Sequence, residues 1–164
     1  MQTAWRIVRK KYSDSALSGL GAEKYGGRWN SKGRKVVYTS DSLALAALEV
    51  LVHLPYPAPP DFHKHCSFCA LRVEIPDEQI RTVDITQLPE DWMSEPPGPN
   101  SKRIGDHWMR ENVSLALKLP SVLVPLEHTI LINPDHAEFN SLKVDSPIPY
   151  SLDSRLVPYY STSK

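Results

Sequence analysis

One carboxylate in an apolar helix is the residue of this sequence that most needs a chemical explanation. Glu49 lies within residues 43–54, a run that contains no proline or glycine and is apolar on nearly every side. Burying an unpaired carboxylate is costly, so such a group is either held in a salt bridge or used in chemistry. The polar or small residues of this run share one narrow helical stripe: Ser42, Ala46, Glu49 and His53. The stripe leaves both explanations open: an ion pair with an N-terminal basic residue, or a functional acid.

Arg28 follows a pair of glycines at the end of the segment Gly19–Gly27. This segment matches neither nucleotide fingerprint, because Lys24 stands where GxGxxG has its third glycine and no Lys-Ser or Lys-Thr pair follows Gly26. Glycines allow a tight turn that sets Arg28 and Trp29 at the edge of a cleft, where a guanidinium can bind phosphate through two hydrogen bonds. Taken alone, an arginine after two glycines is more often part of an ordinary surface turn.

The cluster His63–Cys69 resembles half of a zinc site. A closed structural site needs four ligands, and adjacent His65 and Cys66 rarely reach one metal together. The sequence has no second pair of cysteines, so we expect a chance cluster and no metal site. No Gly-x-Ser-x-Gly motif supports a hydrolase triad either.

The elements that must position these residues form a mixed α and β pattern. Prolines cluster at 55–60 and 89–99, which predicts two exposed connections. A short β-branched run at 35–39 predicts a strand that leads directly into the helix over 43–54. Further strands are predicted over 70–75, 79–85, 121–125, 129–133 and 142–145, and a second helix over 102–117. We therefore predict an α+β fold rather than a doubly wound sheet.

Length and charge limit the function further. The 164 residues predict one domain spanning 1–164. The net charge of zero conceals an asymmetry: residues 1–35 carry nine Lys or Arg against two acids, and the remainder is acidic. The basic third is typical of a site for nucleic acid or a phosphorylated small molecule, or of a solvated surface. Because the remainder of the chain is acidic, we expect no direct nucleic-acid binding by this chain.

The sequence also predicts where the protein acts. Its longest apolar run is shorter than the ~20 residues that span a bilayer, so we expect no membrane helix. The N-terminus has no apolar leader region, and two cysteines cannot form a disulfide framework. These features predict a protein of the reducing cytoplasm.

Six short motifs in order resemble the RES-domain family, toxins of bacterial RES–Xre toxin–antitoxin systems. The resemblance covers about residues 5–139 and leaves 140–164 less well defined. It implies a fold similar to ADP-ribosyltransferases, with a mixed, mostly antiparallel sheet and flanking helices. The motifs are GGRWN at 26–30, VVYTS at 36–40, ALAALE at 44–49, IGDHW at 104–108, PSVLVPLE at 120–127 and LINPDHAEF at 131–139.

The resemblance implies that the protein degrades NAD⁺, and it assigns four catalytic residues: Arg28, Tyr38, Glu49 and Ser121. Cleaving the bond between nicotinamide and ribose builds positive charge on the sugar, which an anionic Glu49 would stabilise. Arg28, helped by Arg6, is expected to bind the pyrophosphate, and Trp29 and Tyr38 to line the substrate site. NAD⁺ is then a substrate, and no metal or other cofactor is required. His128 and Thr129 depart from the family pattern, so the role of the Glu127 region stays open.

The transferred ADP-ribose has three possible acceptors. Water gives a glycohydrolase, inorganic phosphate as co-substrate gives a phosphorylase, and a protein side chain gives an ADP-ribosyltransferase. A ribonuclease toxin and a nucleotide-binding regulator are the competing classes. The resemblance further implies a cognate Xre-family antitoxin as partner, with the toxin forming a homodimer within the toxin–antitoxin complex.

Overall fold

A computed structural model describes residues 1–55 and 67–156 of the chain. In this part, eight strands form one sheet: β1 (Gln2–Arg9), β2 (Val37–Ser40), β3 (Phe68–Ile75), β4 (Ile80–Thr82), β5 (Ala116–Pro120), β6 (His128–Ile132), β7 (Lys143–Val144) and β8 (Ile148–Tyr150). Their order is β4-β5-β6-β2-β1-β3-β7, with β8 also paired to β3. The β4–β5 pair is parallel and the other pairs are antiparallel. The predicted α+β class with a mixed, mostly antiparallel sheet is confirmed.

Strand β1 lies in the interior of the sheet, between β2 and β3, although the sequence analysis did not predict it. It pairs with β3 along its whole length, from Gln2 opposite Ile75 to Arg9 opposite Phe68. On its other side it shares a single register pair with β2, between Trp5 and Ser40. We call this sparsely paired junction the β1–β2 seam. The sheet therefore consists of two well-paired halves that meet at one point of backbone pairing.

Helix α2 (Leu43–Val52) confirms the helix predicted over 43–54. Ser42 is its N-cap and accepts a hydrogen bond from the Leu45 amide at 3.0 Å. The helix packs Ala46 and Ala47 against Ile7 of β1 and Ala70 of β3. These small residues bring the helix close to the sheet on both sides of the seam. A shorter helix, α1 (Leu20–Tyr25), precedes the double glycine.

The second predicted helix is correct in type and wrong in extent. Helix α3 runs over Pro99–Glu111 and ends because Asn112 adopts the left-handed conformation, with φ of 51°. Of the residues predicted to complete the helix, 112–115 are irregular and 116–117 begin strand β5. Consequently the strand predicted over 121–125 is wrong, because that segment is a turn between β5 and β6.

Between α3 and the sheet lies a core of large side chains. Trp29 and Trp108 are each 2% exposed and pack with Leu117 and Leu131. Gly105 allows this contact, because a Cβ at position 105 would lie 1.7 Å from the Trp29 carbonyl oxygen. Among residues 1–55 and 67–156, no helix is long and apolar enough to cross a membrane.

Candidate active site

Glu49 occupies the part of α2 that faces the segment following β5. The side chain is half-buried, and burial raises the pKa of its carboxyl above the ordinary value. The positive potential of His53 and Arg28, and the hydroxyl of Ser121, lower that pKa in part. Desolvation opposed by specific charged neighbours is the pattern that titratable groups show at functional sites.

Arg28 reaches from the turn after α1 toward the proline-rich segment before α3. Its Nη1 donates to the carbonyl oxygens of Trp92 and Ser94 at 2.9 and 2.8 Å. Its Nη2 donates to the Glu95 carboxylate at 3.0 Å. The Arg28 side chain is 15% exposed and that of Glu95 is 78% exposed. One edge of the guanidinium is thus fixed to backbone, while another faces a solvent-exposed anion.

Tyr38, on β2, is held by the turn that carries Arg28. Its hydroxyl donates to Asn30 Oδ1 at 2.7 Å and accepts from the Trp29 amide at 3.1 Å. Burial raises the pKa of Tyr38, so the phenol remains protonated. Glycine is required at position 27, where a Cβ would lie 2.4 Å from this hydroxyl.

The placement of Trp29 differs from the prediction that it lines the substrate site. Its indole stacks on Trp92, with ring centroids 6.3 Å apart, and belongs to the core beneath the turn. At 2% exposure the ring offers no surface to a ligand. Trp29 therefore supports the turn through packing and through its amide, because that amide contacts Tyr38.

Arg6 spans the β1–β2 seam. Its Nη1 donates to the backbone carbonyl of Tyr38, at a place where the two strands no longer pair. Burial lowers the pKa of Arg6 to about 10, which leaves the guanidinium cationic at neutral pH. Arg6 thereby fixes the position of Tyr38 from the opposite strand.

Ser121 directly follows β5 and is fully buried. Its Oγ accepts hydrogen bonds from the amides of Leu123 and Val124 at 3.1 and 3.4 Å. Both bonds are accepted by the hydroxyl oxygen, so its proton remains available for donation. The Ser121 hydroxyl also lowers the pKa of the Glu49 carboxyl.

The structure brings four of the predicted site residues into one electrostatically coupled cluster: Arg28, Tyr38, Glu49 and Ser121. Sequence reasoning assigned no chemistry to Asn30, Glu95 or Asp106. Asp106 binds the backbone amide and the hydroxyl of Ser31 at 2.9 and 2.6 Å and so anchors the same turn. Asn30 lies in the GGRWN motif and Asp106 in the IGDHW motif. Their positions in these motifs were the sequence signal that could have identified them.

The histidines and first cysteine of the predicted chance cluster, His63, His65 and Cys66, lie outside the described residues. Cys69 is buried on β3, and burial raises the pKa of its thiol. Within the described ranges, no group of three or more histidine, cysteine or acidic side chains could hold a metal ion.

Comparison with known proteins gives a consistent result. A family model described as the RES domain matches residues 3–153. The chain is 39% identical to "Toxin Res" of Photorhabdus laumondii, over 93% of this chain and 96% of that protein. It is 35% identical to "Prs ADP-ribosylating toxin" of a Sphingobium strain, over 93% of this chain and 95% of that protein.

One solved structure shows the same fold. The crystal structure of the M. tuberculosis MbcT–MbcA toxin–antitoxin complex contains a chain that superposes with a TM-score of 0.75. The match covers 92% of this chain and 84% of the other at 16% sequence identity, so the likeness concerns architecture.

Proposed function

The chain belongs to the RES domain family, and from that premise we propose that it is an NAD⁺-consuming toxin that cleaves the bond between nicotinamide and ribose. The observation that carries this proposal is the half-buried Glu49 carboxyl. Burial destabilises its anion, and His53, Arg28 and Ser121 stabilise it. A preorganised anion in a desolvated site is suited to stabilising positive charge that develops in a transition state.

The proposed bond cleavage produces that positive charge. The electrons of the C1′–N bond leave with the pyridinium ring, which becomes neutral nicotinamide, and the ribose acquires oxocarbenium character. Ionised Glu49 would stabilise this sugar cation, and Ser121 would keep the carboxylate oriented by a hydrogen bond from its hydroxyl group. An acceptor then bonds to C1′ and loses its proton to solvent. Because the leaving group is already activated by its own charge, we expect turnover to persist in EDTA.

Substrate binding is proposed to use the exposed side of Arg28. Its Nη1 is saturated by two backbone carbonyls, whereas its Nη2 contacts a glutamate that is mostly in solvent. A pyrophosphate is a stronger partner for a guanidinium than one exposed carboxylate, so it can replace Glu95 there. Arg6 contributes positive potential, and the ring of Tyr38 offers a stacking surface.

The acceptor decides the class of enzyme. Water would make the protein a glycohydrolase, and phosphate would make it a phosphorylase. ADP-ribosyl transfer to a protein is the second candidate, favoured by the similarity to the Sphingobium protein named as an ADP-ribosylating toxin.

Mass spectrometry of products separates these candidates. The purified protein is incubated with NAD⁺, with and without inorganic phosphate, beside the Glu49→Gln variant. We expect free nicotinamide together with ADP-ribose, or with phosphorylated ADP-ribose only when phosphate is present. A mass increase confined to a target protein from a host lysate would assign the transferase. Intact NAD⁺ with cleaved RNA would contradict the proposal and indicate a ribonuclease.

The partner is proposed to be a cognate antitoxin of the Xre type. Support comes from the family and from the toxin–antitoxin complex that shares the fold. Exposed apolar side chains also flank Glu49 on its helix, with Leu48 at 41% and Val52 at 54% exposure. Expression alone should arrest growth and lower cellular NAD⁺, and co-expression of the antitoxin should restore both. Light scattering of the purified complex would test the proposed homodimer.

A further inference from the structure

Glu127 ties together the two segments that carry Glu49 and Ser121. We propose that Glu127 is a positioning residue that sets the placement of the Ser121 hydroxyl against the Glu49 carboxyl. This inference rests on the proposed function for its role in turnover. The hydrogen bonds of Glu127 on which it is based do not depend on any reaction.

The first tie is made by the backbone of Glu127. Its carbonyl oxygen accepts from the Ser121 amide at 2.9 Å, and its own amide donates to the Val124 carbonyl at 2.8 Å. These bonds close the turn 121–127 at its base, directly beyond the last register pair of β5 and β6, Pro120 opposite His128. The backbone of Ser121 is therefore fixed relative to Glu127.

The second tie is made by the Glu127 side chain. Its carboxylate accepts a hydrogen bond from the hydroxyl of Ser42, the N-cap of α2. Ser42 in turn accepts from the Leu45 amide, so both hydrogen-bonding roles of its hydroxyl are used. A carboxylate at this end of the helix also interacts favourably with the helix dipole. Glu49 lies seven residues further along the same helix, two turns away.

A neighbouring contact restrains the same junction. The Asp41 amide donates to the His128 carbonyl at 3.0 Å, and His128 Nδ1 lies 2.9 Å from Asp41 Oδ2. This pair holds the start of α2 to β6, whereas the Glu127 carboxylate holds Ser42 to the turn that contains Ser121. Removing the Glu127 side chain should leave the helix docked to β6 and the base of the turn closed, but should release the turn from Ser42 so that the Ser121 hydroxyl can shift relative to Glu49.

A shift of this kind would affect rate more than binding. Misplacement of a catalytic contact by about 1 Å can lower turnover by about 100-fold. Gln retains a carbonyl oxygen that can accept from Ser42 but lacks the charge. Comparing Glu127→Ala with Glu127→Gln therefore separates positioning from a direct electrostatic effect.

The kinetic experiment measures NAD⁺ consumption by four proteins: wild type, Glu127→Ala, Glu127→Gln and the matched control Glu138→Ala, an exposed glutamate after β6. We expect Glu127→Ala to lower kcat about tenfold or more with KM within about twofold. Glu127→Gln and Glu138→Ala should stay within about twofold of wild type. An unchanged kcat in Glu127→Ala, or equal losses in the Ala and Gln variants, would overturn the proposal.

A second measurement needs no turnover. The ¹³C resonance of the Glu49 carboxyl, assigned by its loss in Glu49→Gln, is titrated with pH in each variant. Burial raises the pKa of this carboxyl, and the charged neighbours His53 and Arg28 together with the Ser121 hydroxyl lower it. Glu127→Ala should therefore move the midpoint to higher pH, and Glu127→Gln should not. If the wild type consumes no NAD⁺, the proposed function fails while this titration still decides the role of Glu127, which an unchanged midpoint would refute.

Discussion

At Glu49, the requirements of the proposed catalysis and of folding oppose each other. Burial raises the pKa of the native carboxyl, so the native state binds this proton more tightly than the unfolded chain does. Ionisation of Glu49 therefore lowers the free energy of unfolding as pH rises above the unfolded-state pKa, about 4.3. The decrease is complete once the pH is above the native-state pKa. The proposed chemistry nevertheless needs the ionised form.

Glu49→Gln should accordingly lose activity without losing stability. Its kcat should fall by about 100-fold or more, because Gln keeps the shape and lacks the charge that the transition state requires. At pH 7 its free energy of unfolding in urea should equal or exceed that of wild type, and any gain should shrink as pH falls toward 4. A variant that is less stable at pH 7 would show that the carboxylate serves folding through an ion pair.

Activity of the wild type should depend on pH through the same group. Because the free enzyme must hold Glu49 ionised, kcat/KM should fall on acidification at a pH above that expected for an exposed glutamate. Measuring kcat/KM between pH 4 and 8 checks the direction. A midpoint below the ordinary glutamate value would contradict the assigned burial effect.

Arg28 and Glu95 give a prediction about substrate affinity. If NAD⁺ replaces Glu95 on Nη2, Glu95→Gln should lower KM by about twofold to fivefold, the modest effect of an exposed ion pair, with kcat unchanged. Arg28→Ala should raise KM about tenfold or more, since charged hydrogen bonds contribute about 1.5–3 kcal/mol. Initial rates across NAD⁺ concentrations measure both. A raised KM in Glu95→Gln would mean that Glu95 supports binding rather than competing with it.

At the scale of elements, α3 and the 26–30 turn meet at Gly105. A methyl group there would overlap the Trp29 carbonyl oxygen, and this contact is with backbone. Gly105→Ala should therefore destabilise the protein by about 1–3 kcal/mol, as overpacking does, and should also disturb Tyr38 through the Trp29 amide. Urea unfolding measures the first effect. Gly21→Ala is the control, because a Cβ there has no neighbour within 4 Å.

The sequence predicted elements best where one local signal dominates. Helix α2 has a serine cap and a predominantly apolar run without proline or glycine, and its prediction was confirmed. The end of α3 depends on a left-handed Asn112, after which the pattern in Ala116–Pro120 changes to the alternation of a strand. Strand β1 was missed because its buried residues, Ala4 and Ile7, are three positions apart and do not show the period-2 alternation of a half-exposed strand.

At the scale of the whole molecule, the family resemblance supplied what local pattern could not. It nominated Arg28, Tyr38, Glu49 and Ser121, and the fold brings all four together from separate segments. It also placed Trp29 with the ligand, whereas the structure places the indole in the core. A motif indicates that a residue is important, but it does not show why. Whether its side chain faces the ligand or the core depends on packing that only the assembled sheet determines.

The β1–β2 seam has a consequence for amide hydrogen exchange. Backbone amides beside the single pair Trp5–Ser40 are protected by fewer ladder bonds than those of the continuous β1–β3 ladder, so this junction should open in small local fluctuations. Arg6 restrains those fluctuations by holding the Tyr38 carbonyl from across the gap. In Arg6→Ala, deuterium uptake should accelerate at 37–40 and along the facing part of β1, while β3 keeps its protection. Uniform acceleration throughout the sheet would instead mean that the two halves open only as one cooperative unit.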